Sequence, residues 1–150
     1  MTKAELRAEL VAQLTAQLAT ARAAHEAAVE GATHSEARAE NDKDTRGLEQ
    51  SYLARGQATR VAELETGLAL VEKLSIAKSA RVALGALVET DDGARYYLAP
   101  AGGGAIIGGD VQVLTPQSPL GKALLGKVVD DEVEIKLANK VRELAITSIS

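Results

Sequence analysis

The stretch Glu36-Ala-Arg-Ala-Glu-Asn-Asp-Lys-Asp44 decides how this chain folds. It places four carboxylates, Glu36, Glu40, Asp42 and Asp44, in nine residues, with nothing apolar larger than alanine. Long helical patterns lie on both sides of it. Read as the turn between them, it makes the first half of the chain an antiparallel hairpin with an acidic tip, because helices of similar length joined by a short connection pack antiparallel.

Before this stretch, Leu6, Leu10, Leu14 and Leu18 recur every four residues, and Ala21, Ala24, Ala28 and Val29 continue the apolar side toward Gly31. Thr2 and Glu5 form a capping-box pair. The pattern predicts a helix over 3–30, with a break or kink at Gly31-Ala-Thr-His34. After the acidic stretch, a helix is expected over 45–73. Its apolar side begins with Leu48 and Tyr52 or Leu53 and continues through Val61, Leu64, Leu68 and Val71 at heptad spacing. Gly56 suggests a close approach of the two backbones. About 28 residues at 1.5 Å each make a helix roughly 40 Å long, longer than a small domain is wide.

Composition shifts near Leu74–Ser79. Residues 75–150 hold nine of the thirteen glycines and all three prolines. Strands are expected at 86–90, 95–98, 111–114, 132–137 and 141–149, with Asp91-Asp92-Gly93 turning between the first two. Ser118-Pro119 starts a short helix as N-cap and first position, and Gly126 closes it. The fold class is therefore α+β: a hairpin over 1–75 and a small globule over 79–150 with one short helix on a mixed sheet.

Bulk chemistry narrows function. There is no cysteine, hence no disulfide framework or thiolate chemistry. A net charge of −4 argues against coating bare nucleic acid, and three tyrosines with no Phe or Trp supply little base stacking. No apolar run is long enough to span a membrane, and no signal-peptide core opens the chain, so the cytoplasm is expected. His25 and His34 have too few companion ligands for zinc. The glycines around 102–109 lack the strand-to-helix context of a phosphate loop.

Ser118-Pro-Leu-Gly-Lys-Ala-Leu-Leu-Gly-Lys127, followed by Val128-Val-Asp-Asp-Glu-Val133, resembles a signature of the GreA/GreB family of bacterial transcript-cleavage factors. The hairpin and the remaining strands are similar to that family's coiled coil and FKBP-like C-terminal domain. The resemblance implies a factor that docks on RNA polymerase through the globular domain. The coiled coil would enter the secondary channel, and tip acids would help hold the polymerase's own Mg²⁺ while backtracked RNA is cut. The factor would then be no enzyme itself and would need no cofactor of its own.

On this reading the tip acids are Glu40, Asp44, Asp42 and Glu36, with Glu40 and Asp44 nearest the metal. Arg38, Lys43, Arg46 and Arg55 would meet RNA or the channel, and Leu120, Lys122 and Lys127 would dock. The family's Asp, two residues, then Glu-Asn-Ala-Glu-Tyr is replaced here by Glu36-Ala-Arg-Ala-Glu40-Asn41-Asp42-Lys43-Asp44, which keeps the acids and changes their spacing. A channel-binding inhibitor without cleavage activity and a coiled-coil dimerisation protein are the competing readings. A monomer or weak dimer is expected.

Overall fold

The computed structural model describes residues 1–37 and 46–150; the side chains of 34–37, 46, 47, 50 and 137 fall outside that description. In chain order the elements are α1 (Lys3–Ala37), α2 (Arg46–Glu72), β1 (Leu87–Thr90), β2 (Arg95–Leu98), β3 (Ile106–Ile107), β4 (Val111–Leu114), α3 (Pro119–Leu124), β5 (Glu132–Leu137) and β6 (Lys140–Ile149). This is the expected α+β class. The chain divides into two compact units, Met1–Ala12 with Ala69–Ser150, and Gln13–Leu68. The division runs elsewhere than the composition shift: the opening turns of α1 and the last turn of α2 cluster with the sheet.

In the first unit, a six-stranded sheet has the order β3-β4-β2-β1-β6-β5. β2 and β4 are parallel and every other pairing is antiparallel. Strand alternation sends side chains to two faces. One face carries Val88, Tyr96, Leu98, Leu114, Val133, Ile135, Leu144 and Ile146, packed with Leu124 of α3. On the opposite face, Tyr97 and Val113 are register partners, and both are buried, as is Val111. Leu6, Leu10, Val71 and Leu74 are buried in the same unit, and Leu6 sits where a Cβ on Gly108 would come within 2.8 Å of it. The small sheet thus has two apolar sides to bury, and the hairpin's base supplies one cover.

The opening of α1 is fixed by the predicted capping box. The Glu5 amide donates to Thr2 Oγ1 at 3.1 Å, and the Thr2 hydroxyl and amide donate to the Glu5 carboxylate at 3.1 and 3.4 Å. α2 ends with no basic residue in its last turn. Arg7 supplies the missing cation from α1, donating to the Leu74 carbonyl at 2.7 Å, a favourable placement against a helix C-terminus. Lys3 donates to the Ala77 and Ser150 backbone oxygens at 2.6 and 3.1 Å. Burial lowers its pKa. These grips join residues more than 60 apart, so no local sequence pattern announces them.

In the second unit, the two helices run antiparallel. Arg22 of α1 pairs with Glu65 of α2 at 3.1 Å, while Ala16, Gln17, Thr20, Ala21 and Ala24 line one open hollow with Gln57 and Arg60. Leu14, Leu18, Ala21, Ala28 and Ala32 are buried from α1, and Leu64 from α2.

Four expectations are corrected here. α1 does not stop at residue 30 or break at Gly31; it runs to Ala37, because one glycine costs only about 1 kcal/mol and Ala32 is buried in the seam. Val29 is exposed, since the seam passes through its neighbour Ala28 and consecutive helical residues point about 100° apart. Leu48, Tyr52 and Leu53 do not begin the buried side of α2; all three are exposed, while Ser51, Ala54 and Gln57 are half-buried. Gly56 marks no close backbone approach, for a Cβ there meets nothing within 4 Å.

Candidate functional site

The helices flanking the acidic stretch end at Ala37 and resume at Arg46, at one end of the antiparallel pair. Glu36 and Arg46 are therefore brought to the same end by the backbone. Glu40, Asp42, Asp44, Arg38 and Lys43 lie outside the described residues, as do the side chains of Glu36 and Arg46. Arg55 is described: it is exposed, with its guanidinium 5.4 Å from the centroid of the Tyr52 ring, within cation–π range.

The second candidate surface surrounds α3. The Ser118 hydroxyl accepts from the Gly121 amide at 3.0 Å and donates to the Thr115 carbonyl at 2.8 Å, so the predicted N-cap is realised. Gly121 is required by space rather than by torsion, because a Cβ there would lie 2.0 Å from the Thr115 carbonyl oxygen. Beyond the helix, the amides of Val82 and Gly126 exchange hydrogen bonds with Lys127 and Val82 carbonyls at 2.9 and 2.8 Å, and Arg81 donates to the Gly126 carbonyl at 3.1 Å. Leu120 is half-buried against the core cluster, which fixes α3 on the sheet. Lys122 and Lys127 are exposed. The three candidate docking residues thus divide into one that seats the helix and two that are exposed. Arg81 was not singled out from the sequence; nothing near it announces its reach to Gly126.

A separate polar knot closes the sheet. The Asp92 carboxylate accepts from the Thr90 hydroxyl at 2.5 Å, from the Ala94 amide at 3.2 Å and from Arg142. The Thr90 hydrogen bond leads the effects that hold its pKa below the usual carboxylate range, with the Ala94 amide and Arg142 adding to it against the cost of burial. Asp91 accepts from the Ala145 amide at 3.1 Å. Burial raises the phenol pKa of Tyr96 and of Tyr97, and the Arg7 charge partly opposes it at Tyr97. The Tyr97 hydroxyl has no hydrogen-bond partner among the described residues. Among the described residues no group of three or more His, Cys, Asp or Glu side chains is placed to hold a metal. No described helix is long and apolar enough to cross a membrane.

Residues 106–150 match the family model of the transcription elongation factor GreA/GreB C-terminal domain. Ser118–Lys127 lies inside that segment, and the GreA/GreB resemblance read from it is borne out there. Among solved structures, the chain is similar to the GreA factor homolog Gfh1 of Thermus thermophilus at 21% identity, covering 93% of this chain and 94% of that one, with a TM-score of 0.40. A Thermus aquaticus Gfh1 structure matches at 22% identity, covering 99% and 96%, with a TM-score of 0.41. No curated protein matches the chain in sequence.

Proposed function

We propose, from a C-terminal domain of the GreA/GreB transcription elongation factors, that this chain binds bacterial RNA polymerase in the cytoplasm and stimulates cleavage of backtracked RNA. The observation that carries the reading is the family match over 106–150, joined to a hairpin whose two helices flank an acidic stretch. The globular domain docks, with Lys122 and Lys127 as its charged contacts and Leu120 seating α3 beneath them. The hairpin enters the secondary channel. Glu40 and Asp44, with Asp42 and Glu36 beside them, present carboxylates to the polymerase's Mg²⁺, which takes hard oxygen ligands. Arg38, Lys43, Arg46 and Arg55 meet RNA phosphates or the channel wall. On this reading the chain acts as a stimulator of the polymerase rather than as an enzyme.

The test is a purified, backtracked elongation complex. Adding the chain releases short 3′ RNA fragments. Glu40→Ala with Asp44→Ala abolishes release while polymerase binding persists. Cleavage unchanged in the double variant removes these acids from the mechanism. Binding with slowed elongation and no fragments assigns the chain instead to channel-blocking regulators.

A further inference from the structure

Lys3 is set apart from the other lysines of the first unit. Lys73, Lys78, Lys122, Lys127, Lys136 and Lys140 are exposed, whereas Lys3 is half-buried. Its Nζ donates to the Ala77 carbonyl at 2.6 Å and to the Ser150 backbone oxygen at 3.1 Å. Two acceptors are all that a neutral amine needs. Such a nitrogen carries two N–H donors and one lone pair, so losing a proton leaves both hydrogen bonds in place and frees the lone pair. An ammonium has a third donor, and no third acceptor for it is found among the described residues. Burial acts in the same direction, lowering the pKa of the amine. Desolvated lysines of this kind serve as nucleophiles.

Lys3 also lines a hollow of about 330 Å³ with Thr2, Ala4, Ile76, Lys78 and Leu87. All of these residues belong to the first unit. Ala4, Ile76 and Leu87 give the hollow an apolar wall. Lys78 makes no ion pair with another described residue. The start of α1 adds the positive end of a 35-residue helix, which favours an anion. The hollow thus joins a nucleophilic amine to a wall that is part apolar and part cationic, with room for a short acyl chain and one phosphate.

We propose that Lys3 Nζ is a site of acylation by small acyl phosphates, and that acylation loosens the start of α1 from the carbonyls of Ala77 and Ser150. The Nζ lone pair attacks the acyl carbon. The N–C bond forms, the bond from that carbon to the phosphate oxygen breaks, and phosphate leaves with the electron pair. The proton displaced from nitrogen goes to water. Acylation removes the charge of a lysine. The amide product has a single N–H, so it serves one carbonyl where the amine served two.

Acetyl phosphate on the full-length chain, followed by peptide mass spectrometry, tests the proposal. Lys3 is acetylated at least about threefold faster than any exposed lysine. Lys78→Ala slows that reaction about threefold with acetyl phosphate and leaves it unchanged with p-nitrophenyl acetate, a neutral acyl donor. Acetylation raises the unfolded-to-folded ratio about fivefold at fixed urea. Lys3→Arg, which keeps the charge and the donors, removes that response. Lys3 labelled no faster than the exposed lysines overturns the site. Equal slowing by Lys78→Ala with both reagents overturns the phosphate contact. An acetylated chain that unfolds like the unmodified one overturns the loosening, as does an equal response in Lys3→Arg.

Discussion

Replacing Gly121 by alanine tests the architecture around α3 through a single methyl group. The added Cβ would sit 2.0 Å from the Thr115 carbonyl oxygen, 2.9 Å from its carbon and 2.8 Å from Ser118 Oγ. Close C–H···O contacts run about 3.3–3.6 Å, so the carbonyl must retreat by about 1 Å or more. That carbonyl accepts from the Ser118 amide at 3.1 Å and the Ser118 hydroxyl at 2.8 Å, so its retreat also loosens the N-cap. Overpacking costs about 1–3 kcal/mol. A lost cap adds about 1 kcal/mol. Alanine's better helix propensity returns about 1 kcal/mol. The net loss is about 1–3 kcal/mol, read as a lower urea midpoint at unchanged slope. Gly56→Ala is the matched control, because it makes the same exchange in a helix with nothing within 4 Å of the new Cβ. It stabilises by about 0.5–1 kcal/mol. The two substitutions share the propensity gain and differ in the clash. A Gly121→Ala variant as stable as the original chain, or shifted like Gly56→Ala, refutes the packing of Thr115 on α3.

Asp92→Asn weakens the knot around Thr90 and Arg142 by about 1 kcal/mol, discounted for a carboxylate partly open to solvent. Its lowered pKa means that the stabilisation is full above the unfolded carboxylate value and is lost as pH falls through the folded one. The difference in urea midpoint between variant and original chain is therefore constant from pH 5 to pH 8, in round figures, and closes in acid; a pH-independent difference excludes the charged contact. Ala138 has φ 52° in the two-residue turn between register partners Leu137 and Lys140, so Ala138→Gly raises stability by about 0.5–1 kcal/mol, measured by the same unfolding curve. Tyr97→Phe removes a buried hydroxyl that has no partner among the described residues, and thermal unfolding shows no loss or a gain of up to about 1 kcal/mol. A loss larger than that reveals a hydrogen bond at this hydroxyl.

Much of the fold is legible because its signals are local. Thr2 and Glu5 are three residues apart and cap each other. Leu6, Leu10, Leu14 and Leu18 share a face by spacing alone, and all four are buried. Ser118-Pro119 fixes the start of α3. The expected strands at 95–98, 111–114 and 132–137 are present over those residues. The first half of α2 misleads for the converse reason. Leu48, Tyr52 and Leu53 read as a core side because apolar residues usually face inward, but only the placement of α1 decides which side is inside. The candidate tip acids are legible as chemistry, and the family match over 106–150 lies outside them.

The sequence by itself determined the period of each element, its caps and turns, the α+β class, and the acidic stretch at 36–44. Each depends on residues close enough along the chain to meet through backbone geometry. Tertiary structure decided that the sheet buries both faces, that Arg7 and Lys3 hold the carbonyls of Leu74 and Ala77, and that Gly121 has no room for a methyl group. It also decided that Leu48, Tyr52 and Leu53 are exposed. Those facts depend on which distant surfaces meet, and periodicity specifies the faces without specifying their partners.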